Sequence, residues 1–371
     1  QMGFDGAPSE QVSAAYQSSS AGLSAAYSSA FMWAANAATF SPARDCRDAQ
    51  AHFTPANLLS SWHRGSEAGE RATEMQQLYP HGLRTHSPLP AVFPLRDEGA
   101  ANHMRLSDPL GETGLNIFVH GEFTPECDVR FMPRHTLAAS QAIARLHQLD
   151  PQCTFFLQQH PAAIAAGVFH NDVIATSHEN LLIYHQFAFV DGESEIDRVA
   201  DQFERKTGAP LVRIDVGEAE LSLSEAVACY FFNSQIITPQ SGSAEQPRMV
   251  LICPEQCRMS GQARRLIERL LNDPAIPLEE VCYVSLAESM SGGGGPACLR
   301  LRLPVEVDQL SQLNPGCRVD RALENALTEA IELWYPDRLE LQDLGNPEFV
   351  QVAHRAVKAL RERLDQLRNT L

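Results

Sequence analysis

The feature that most constrains the fold of this chain is an alternation of strand-like and helix-like segments over its whole length. Strand patterns occur in pairs as often as singly, so a simple series of parallel strand–helix–strand units fits poorly. The spacing suggests a repeated unit of several strands and one helix, although no repeat is visible as sequence identity. We therefore expect a mixed α/β fold. No linker divides the chain, which predicts a single domain over residues 1–371.

Hydrophobic periodicity places the individual elements. It predicts helices at about 136–148, 193–206, 260–271, 319–335 and 347–368. It predicts strands at about 115–119, 153–158, 181–189, 210–216, 228–237, 248–253 and 280–286. In the last helix, Val350, Val357 and Leu364 keep the spacing of one helical face.

The composition limits the classes of function. Apolar residues make up 44% of the chain, enough for a full core, and the net charge of -17 argues against binding nucleic acid or an anionic membrane. It does not argue against a small anionic substrate, which needs only a local basic pocket. Nine cysteines without a framework spacing predict reduced thiols and a cytoplasmic protein. Dinucleotide, phosphate-loop and metal-ligand patterns are absent from the sequence, so no cofactor and no metal are expected.

One cysteine follows a glycine-rich stretch. Gly292 to Pro296 precede Cys298, and an alternating run from Leu299 to Leu303 follows it. Glycines let a ligand approach the main chain closely, and the alternating run is typical of a strand. Cys298 is therefore a candidate nucleophile where a loop enters a strand, partly exposed and near donors that favour the thiolate. The alternative is a small buried apolar residue on that strand.

Polar groups interrupt a second apolar run, from Gly167 to Ala175, at His170, Asn171 and Asp172. Burying such groups costs several kcal/mol unless they are paired, so we expect them to face a site. For His170 the alternative is a core histidine with satisfied hydrogen bonds. Glu98 follows another acid and precedes a glycine, which indicates a loop at the end of a strand.

Three further positions are candidates for binding. Asn36 is polar within an apolar segment, where it either caps a turn or lines a pocket. The pair His63 and Arg64 is either solvated surface or a grip on a carboxylate. Arg134 precedes a predicted helix, where a cation opposes the helix dipole. A thiol, an imidazole and two carboxylates suit thiolate chemistry on a cation, and guanidinium is the planar cation that matches carboxylates in a bidentate way.

Four segments carry a resemblance to a known family. Residues 32–39, 97–103, 167–173 and 293–300 resemble, in the same order, segments of the N-succinylarginine dihydrolase family. The resemblance implies the pentein fold, a pseudo-fivefold α/β propeller of strand–helix modules around a central site. It also implies arginine catabolism by the arginine succinyltransferase pathway. In that reaction N2-succinyl-L-arginine and two waters give N2-succinyl-L-ornithine, two ammonia and carbon dioxide.

The resemblance also implies roles for residues of this chain. Cys298 would be the nucleophile, with Glu98 and His170 as its catalytic partners. The implied substrate contacts are Asn36, His63, Arg64, Arg134, Asp172 and Gly292, the last at a position where the family has asparagine. A homodimer is implied in the same way.

The chain departs from the family at Gly292 and also at its start, and two alternative functions stay open. The family has a longer N-terminal part with a glycine-rich segment that contacts substrate, whereas this chain begins at Gln1, so we expect the first module to be largely missing. One alternative function is therefore a catalytically incompetent fragment of this fold. The other is a deiminase of a related guanidino compound, which would stop after one hydrolysis.

Overall fold

The computed structural model of the protein describes residues 3–27, 34–60, 62–65, 67–78, 82–122, 131–239, 248–291, 294–305 and 319–368. The chain divides into two compact units. The larger unit comprises Ala30–Gln76 and Gly82–Glu306, and the smaller unit comprises Gln1–Ser29, Gln77–His81 and Val307–Leu371. That residues 1–371 form one domain stays a prediction.

One arrangement of strands occurs four times in the larger unit, as four three-stranded sheets. The strands, in chain order, are β1 (Ala38–Ser41), β2 (Ala51–Pro55), β3 (Leu83–Thr85), β4 (His103–Ser107), β5 (Gly114–His120), β6 (Thr154–Gln158), β7 (Ala175–His178), β8 (Leu181–His185), β9 (Val212–Val216), β10 (Gln235–Ile237), β11 (Met249–Pro254) and β12 (Leu278–Val284). In every sheet the first strand pairs antiparallel with the second, and the third runs parallel to the second.

Helices connect the parallel strands. The helices, in chain order, are α1 (Pro8–Ser18), α2 (Ser20–Tyr27), α3 (Trp62–Gly65), α4 (Ala68–Leu78), α5 (Leu137–Leu146), α6 (Pro161–Ala165), α7 (Gly192–Thr207), α8 (Leu223–Cys229), α9 (Gln256–Met259), α10 (Gly261–Asn272), α11 (Ala287–Ser291), α12 (Arg321–Trp334) and α13 (Pro347–Arg368). In each sheet at least one helix lies between the second and third strands, as a parallel connection requires. The predicted mixed α/β class is confirmed, and the repeated unit is a strand–strand–helix–strand module.

A short 3₁₀ turn precedes the first strand of every module. These four turns are Ala34–Asn36, Gly99–Asn102, Asn171–Val173 and Phe231–Asn233. Because the modules repeat, the turns occupy equivalent places in their modules, and neighbouring turns lie in contact. The side chains of the candidate site come mainly from these turns.

The core lies between neighbouring modules. In β8, Leu182 and Tyr184 belong to a cluster shared with β5 and α7, whereas Leu181 and Ile183 belong to a cluster shared with β11 and α10. Successive residues of a strand point to opposite faces, so β8 is apolar on both. A strand covered on both faces reads as a continuous apolar run in the sequence.

Two predicted strands are replaced by other structure. Over 228–237 the chain ends α8, forms the turn Phe231–Asn233 and then makes only the three-residue β10. A short buried apolar run does not distinguish a helix end from a strand, which explains the error. Over 299–303 there is no strand, and it is the side chain of Arg302 that reaches β10, donating to the main-chain oxygen of Ile236 at 2.6 Å.

The smaller unit is helical where it is described. α12 packs on α13, and α1 contacts both α2 and α13. The two predicted C-terminal helices at 319–335 and 347–368 are confirmed by α12 and α13. None of the helices in the described part of the chain is long and apolar enough to cross a membrane.

Candidate active site

A circuit of hydrogen bonds joins the four turns to the loop that carries Cys298. Nδ2 of Asn36 donates to the main-chain oxygen of Glu98 at 3.1 Å, and Glu98 bonds to His170. Nδ2 of Asn233 lies 3.3 Å from the main-chain oxygen of Asp172 and 3.1 Å from Sγ of Cys298. The circuit returns to its start because the main-chain oxygen of Cys298 accepts from the N–H of Ala35 at 3.1 Å. Residues far apart in sequence are thereby brought to one place.

Glu98 and His170 form a buried pair. Nε2 of His170 lies 2.8 Å from Oε2 of Glu98, and both side chains are almost fully buried. An ionised carboxylate can only accept, so Nε2 carries the proton. Nδ1 of His170 is then the open proton site of the neutral ring, and it has no hydrogen-bond partner among the described residues. A histidine in this state can take up a proton or, once charged, give one.

The carboxylate of Glu98 is held in its charged form. Ser60 donates its hydroxyl hydrogen to Oε1, and Nη2 of Arg64 donates to Oε2 at 3.3 Å. Burial alone would raise the pKa of Glu98, but His170, Arg64 and Arg134 outweigh it and lower the pKa to about 2. Arg64, expected to bind substrate, is therefore also a partner of the Glu98–His170 pair.

The turn after Glu98 requires glycine. Gly99 has a φ of +68°, a conformation that L residues rarely adopt, and a Cβ there would lie 3.1 Å from the main-chain oxygen of Ala38. The N–H of Glu98 donates to Nδ1 of His135 at 3.1 Å, and Nε2 of His135 lies 3.0 Å from Oγ of Ser140. His135 is therefore neutral and fixes the main chain of Glu98.

Cys298 lies in a turn and not at the start of a strand, and it is only 2% exposed. The prediction that it is partly exposed is wrong. Its Sγ lies 3.4 Å from Oδ2 of Asp172. Burial raises the pKa of the Cys298 thiol well above its usual value, and Asp172 adds to the effect, whereas Asn233 opposes it. In the free protein the sulfur is therefore a thiol beside a carboxylate.

Asp172 is the second carboxylate of the site. Burial raises the pKa of Asp172, and His170, the Cys298 thiol and the guanidinium of Arg300 oppose the rise. The run from Gly167 to Ala175 is not a strand, because Asn171–Val173 forms a 3₁₀ turn before β7. That turn is what aims Asp172 at Cys298.

The aromatic ring of Phe169 contacts both Arg134 and His170. The guanidinium carbon of Arg134 is 4.8 Å from the centre of the Phe169 ring, and that ring meets His170 edge-on at 4.9 Å. Among the described residues Arg134 has no hydrogen-bond or ion-pair partner. A half-buried guanidinium in this position remains available for an anion.

Two candidates fall outside what the structure describes. The main chain of His63 belongs to α3, but its side chain lies outside the described residues, and so does Gly292. Their predicted contacts with substrate stay predictions. Asn36, by contrast, is buried between two of the candidates, since its Nδ2 lies 3.4 Å from Nε2 of His170.

Asn233 and Ser60 were missed by the sequence analysis. Asn233 and Ser234 interrupt the apolar run at Phe231 and Phe232, which is the same signal that selects His170 and Asp172. Asn233 also stands two residues before its strand, as Asn36 does, so the repeat would have indicated it. For Ser60 no comparable signal exists.

A cavity of about 280 Å³ borders the site. Its lining includes parts of β4 and β7 and residues 300–302. Of the candidate residues that the structure describes, only Asp172 lines this cavity. The cavity therefore lies next to the pair of Glu98 and His170 and not over it. In the described part of the chain no group of three or more His, Cys, Asp or Glu side chains is placed to hold a metal ion. That the protein needs no metal and no cofactor stays a prediction.

The site holds a buried thiol that faces a carboxylate, close to a histidine–glutamate pair. An enzyme with this arrangement can form a covalent thioester-like or thiouronium intermediate on the cysteine. Residues 1–368 match the family described as Succinylarginine dihydrolase. The chain therefore belongs to the succinylarginine dihydrolase family, and the resemblance found in the sequence is confirmed.

Curated relatives agree with this family. An N-succinylarginine dihydrolase of Legionella pneumophila is 38% identical over 94% of this chain and 78% of its own length. Those of Idiomarina loihiensis and Serratia proteamaculans are 38% and 39% identical, over 97% of this chain and 80% of their own lengths. The expectation of a largely missing first module is not supported by these alignments, which take in nearly all of the chain.

Two solved structures show a distant resemblance to the chain. A dimethylarginine dimethylaminohydrolase adduct is 16% identical with a TM-score of 0.36, covering 80% of this chain and 91% of that one. A C. jejuni agmatine deiminase is 10% identical with a TM-score of 0.32, covering 67% and 65%. Likenesses this weak carry no argument about the site.

Proposed function

We propose that this protein hydrolyses N2-succinyl-L-arginine with two waters to N2-succinyl-L-ornithine, two ammonia and carbon dioxide, a step of arginine catabolism. It is thus a hydrolase of C–N bonds in linear amidines, as its family and its named relatives support. The observation that carries the mechanism is the placement of Cys298 against Asp172, 3.4 Å away, beside the bonded pair of Glu98 and His170.

The guanidinium binds between the two carboxylates. Asp172 and Glu98 flank the site with opposite charge to the substrate, and a planar guanidinium can donate two parallel hydrogen bonds to one carboxylate. Bound there, the cation neutralises Asp172, which in the free protein disfavours the thiolate of Cys298. Substrate binding therefore promotes the nucleophilic form of the sulfur. The thiol proton of Cys298 passes to the open Nδ1 of His170, which leaves a thiolate and a charged ring.

The first hydrolysis replaces one terminal nitrogen by oxygen. The thiolate of Cys298 adds to the guanidinium carbon, and the resulting tetrahedral centre expels one terminal nitrogen as ammonia, which takes its proton from His170. A thiouronium remains on the sulfur. His170, now neutral, removes a proton from water as it adds to the same carbon. The thiolate then leaves, and a ureido group is formed.

The second hydrolysis repeats these steps on the ureido carbon. Addition of the Cys298 thiolate and loss of the remaining terminal nitrogen as ammonia leave a carbamoyl group on the sulfur. A second water, activated by His170, releases a carbamate, which loses carbon dioxide to give the free amine of succinylornithine. Glu98 keeps the ring of His170 oriented and stabilises its charged form in both rounds.

The far end of the substrate carries carboxylates. We propose that Arg134, Arg64 and His63 bind them, with Asn36 and the main chain near Gly292 completing the contacts. The available guanidinium of Arg134 over Phe169 supports this role. Arg64 would have two roles, since it also donates a hydrogen bond to Glu98.

The closed circuit of turns supports a propeller of the pentein type for the larger unit, with the loop of Cys298 completing the ring. We propose a cytoplasmic enzyme, which agrees with the free state of all seven cysteines that the structure describes. A homodimer is proposed from the family resemblance alone.

The experiment that tests the nucleophile is Cys298→Ser. A serine hydroxyl is several pKa units less acidic than a thiol, so turnover of succinylarginine should vanish while the circular dichroism spectrum stays that of the parent chain. Cys282→Ser, at an exposed cysteine, is the matched control and should keep full activity. Substantial activity in Cys298→Ser would remove Cys298 from the mechanism.

A further inference from the structure

Asn233 is fully buried in the turn before β10 and touches the sulfur of Cys298. Its Nδ2 lies 3.1 Å from that sulfur and 3.3 Å from the main-chain oxygen of Asp172. Its Oδ1 accepts from the N–H of Cys298 at 3.4 Å. A main-chain oxygen only accepts and a main-chain N–H only donates, so these two contacts fix the orientation of the amide. The group that faces the sulfur is therefore an N–H donor.

A thiolate accepts such a bond far better than a thiol, because hydrogen bonds to an ionised partner are about twice as strong. We propose that Asn233 is a catalytic residue: its side-chain amide stabilises the thiolate of Cys298 and holds the sulfur at a fixed place beside Asp172. The proposal rests on the proposed function, because it takes Cys298 as the nucleophile. When the thiolate has added to the substrate carbon, the bond weakens, and it forms again when the sulfur leaves.

The surroundings of the nucleophile show that this role is needed. The titratable groups that face Cys298 are Asp172 on the turn before β7, Arg300 on the following loop and Tyr230 at the end of α8. The carboxylate of Asp172 opposes the thiolate. Asn233 is a donor that touches the sulfur without itself titrating, so its ability to donate does not change with pH.

The local geometry is built around this contact. A Cβ at Gly295 would lie only 2.6 Å from Oδ1 of Asn233, so the glycine allows the loop to approach the amide. The main chain also links the two segments, since the N–H of Ala297 donates to the main-chain oxygen of Asn233 at 2.8 Å. That bond does not involve the side chain. A substitution at position 233 therefore leaves one anchor of the loop in place.

The test is the rate at which iodoacetamide alkylates Cys298 in the full chain, between about pH 7 and 11, a range that extends above an ordinary thiol pKa because the pKa of Cys298 is raised. Mass spectrometry of the peptide carrying Cys298 separates it from the other cysteines. Asn233→Ala should move the midpoint of the pH profile upward by about one unit or more, a roughly tenfold loss of reactivity below it. Asn233→Asp should move it further, because a carboxylate then faces the sulfur.

The matched control is Asn116→Ala. Asn116 is equally buried, but its amide bonds to Asp45 and His103, away from Cys298. The control should keep the midpoint of the parent chain. If Asn233→Ala does not fold, the nearly isosteric Asn233→Asp decides the question. A midpoint unchanged by the substitution overturns the proposal.

Turnover is measured separately. Asn233→Ala should lower kcat for succinylarginine about tenfold or more and change KM little, because the bond strengthens only when the sulfur is charged. If the parent chain releases no ammonia from succinylarginine, the proposed function fails. The alkylation midpoints still decide whether Asn233 stabilises the thiolate, so the two failures are distinguishable.

Discussion

Oε2 of Glu98 and Nε2 of His170 lie 2.8 Å apart although 72 residues separate them in the chain. Each residue stands at the entrance to a 3₁₀ turn, and each turn precedes the first strand of its own module. The repeat of the module therefore brings the pair together, while the sequence between them builds the strands that hold the turns in place.

Replacing Glu98 by glutamine tests this pair. Glu98→Gln keeps the size of the side chain but removes the charge that orients His170 and stabilises its protonated ring. We expect kcat for succinylarginine to fall about 10²- to 10⁴-fold, the range of general acid–base contributions. Because the pKa of Glu98 is lowered to about 2, the parent enzyme should show no loss of activity from protonation of Glu98 above about pH 4.

The control for Glu98 is Glu220→Gln. Glu220 also accepts from an arginine, Arg269, at 2.6 Å, but on the surface. It should leave kcat unchanged. A Glu98→Gln enzyme with nearly parental kcat would show that the pair has only a structural role.

Arg134 is predicted to recognise the succinyl group by binding its carboxylate. Succinylation replaces a cationic amine of arginine by an amide and adds a carboxylate. Loss of a charge-assisted bond costs about 1.5–3 kcal/mol, or roughly ten- to a hundredfold in binding. Arg134→Ala should therefore raise KM for succinylarginine by about that factor, with a smaller change for free arginine, which is expected to be a poor substrate.

The measurement is kcat/KM for both compounds in the parent and the variant. Arg198→Ala is the matched control, since Arg198 also lies over a phenylalanine ring, at 5.0 Å from Phe155, but is largely exposed. An equal fall in kcat/KM for both compounds in Arg134→Ala would show that Arg134 supports the fold or the chemical steps and does not recognise the succinyl group.

Acid should destabilise the larger unit through buried histidines. Burial lowers the pKa of His103 to about 4 and that of His135 to about 3, below the ordinary value of 6.5. The unfolded chain therefore binds protons first as the pH falls, and stability present above about pH 6.5 is lost progressively towards pH 4. By this linkage, each of these two histidines should lower the free energy of unfolding by about 2 kcal/mol between pH 7 and pH 5.

Urea midpoints at these two pH values check the acid effect. His103→Gln should lose less stability than the parent chain over the interval, although it is less stable at neutral pH. His354→Gln, at an exposed position of α13, should lose as much as the parent. Equal losses in all three chains would show that His103 is not the source.

The sequence allowed the second and third strands and a connecting helix of the last three modules to be predicted, but not the first module, nor β4 and β7. α7 and α10 show clear helical periodicity, β5 and β11 are largely apolar runs of strand length, and β9 alternates apolar and charged residues. β10 was overestimated because a buried helix end, a turn and a short strand share one apolar run. The strand at 299–303 was wrong because side-chain bonds of Arg302 replace the main-chain ladder there.

The site was predictable where polar residues interrupt apolar segments. Asn36, His170 and Asp172 met that criterion, and the structure brings them close to Glu98 and Cys298. The burial of Cys298 was not predictable, because it depends on turns contributed by other modules. The bond between Arg64 and Glu98 depends likewise on how β2 and β4 are placed.

The most direct test of the central claim is the amount of ammonia released per succinylarginine consumed by the purified protein. The proposed two rounds at Cys298 predict two ammonia for each molecule, with succinylornithine as the organic product. One ammonia with a ureido product would indicate a deiminase, and no ammonia an incompetent fragment. Either of these results would contradict the account.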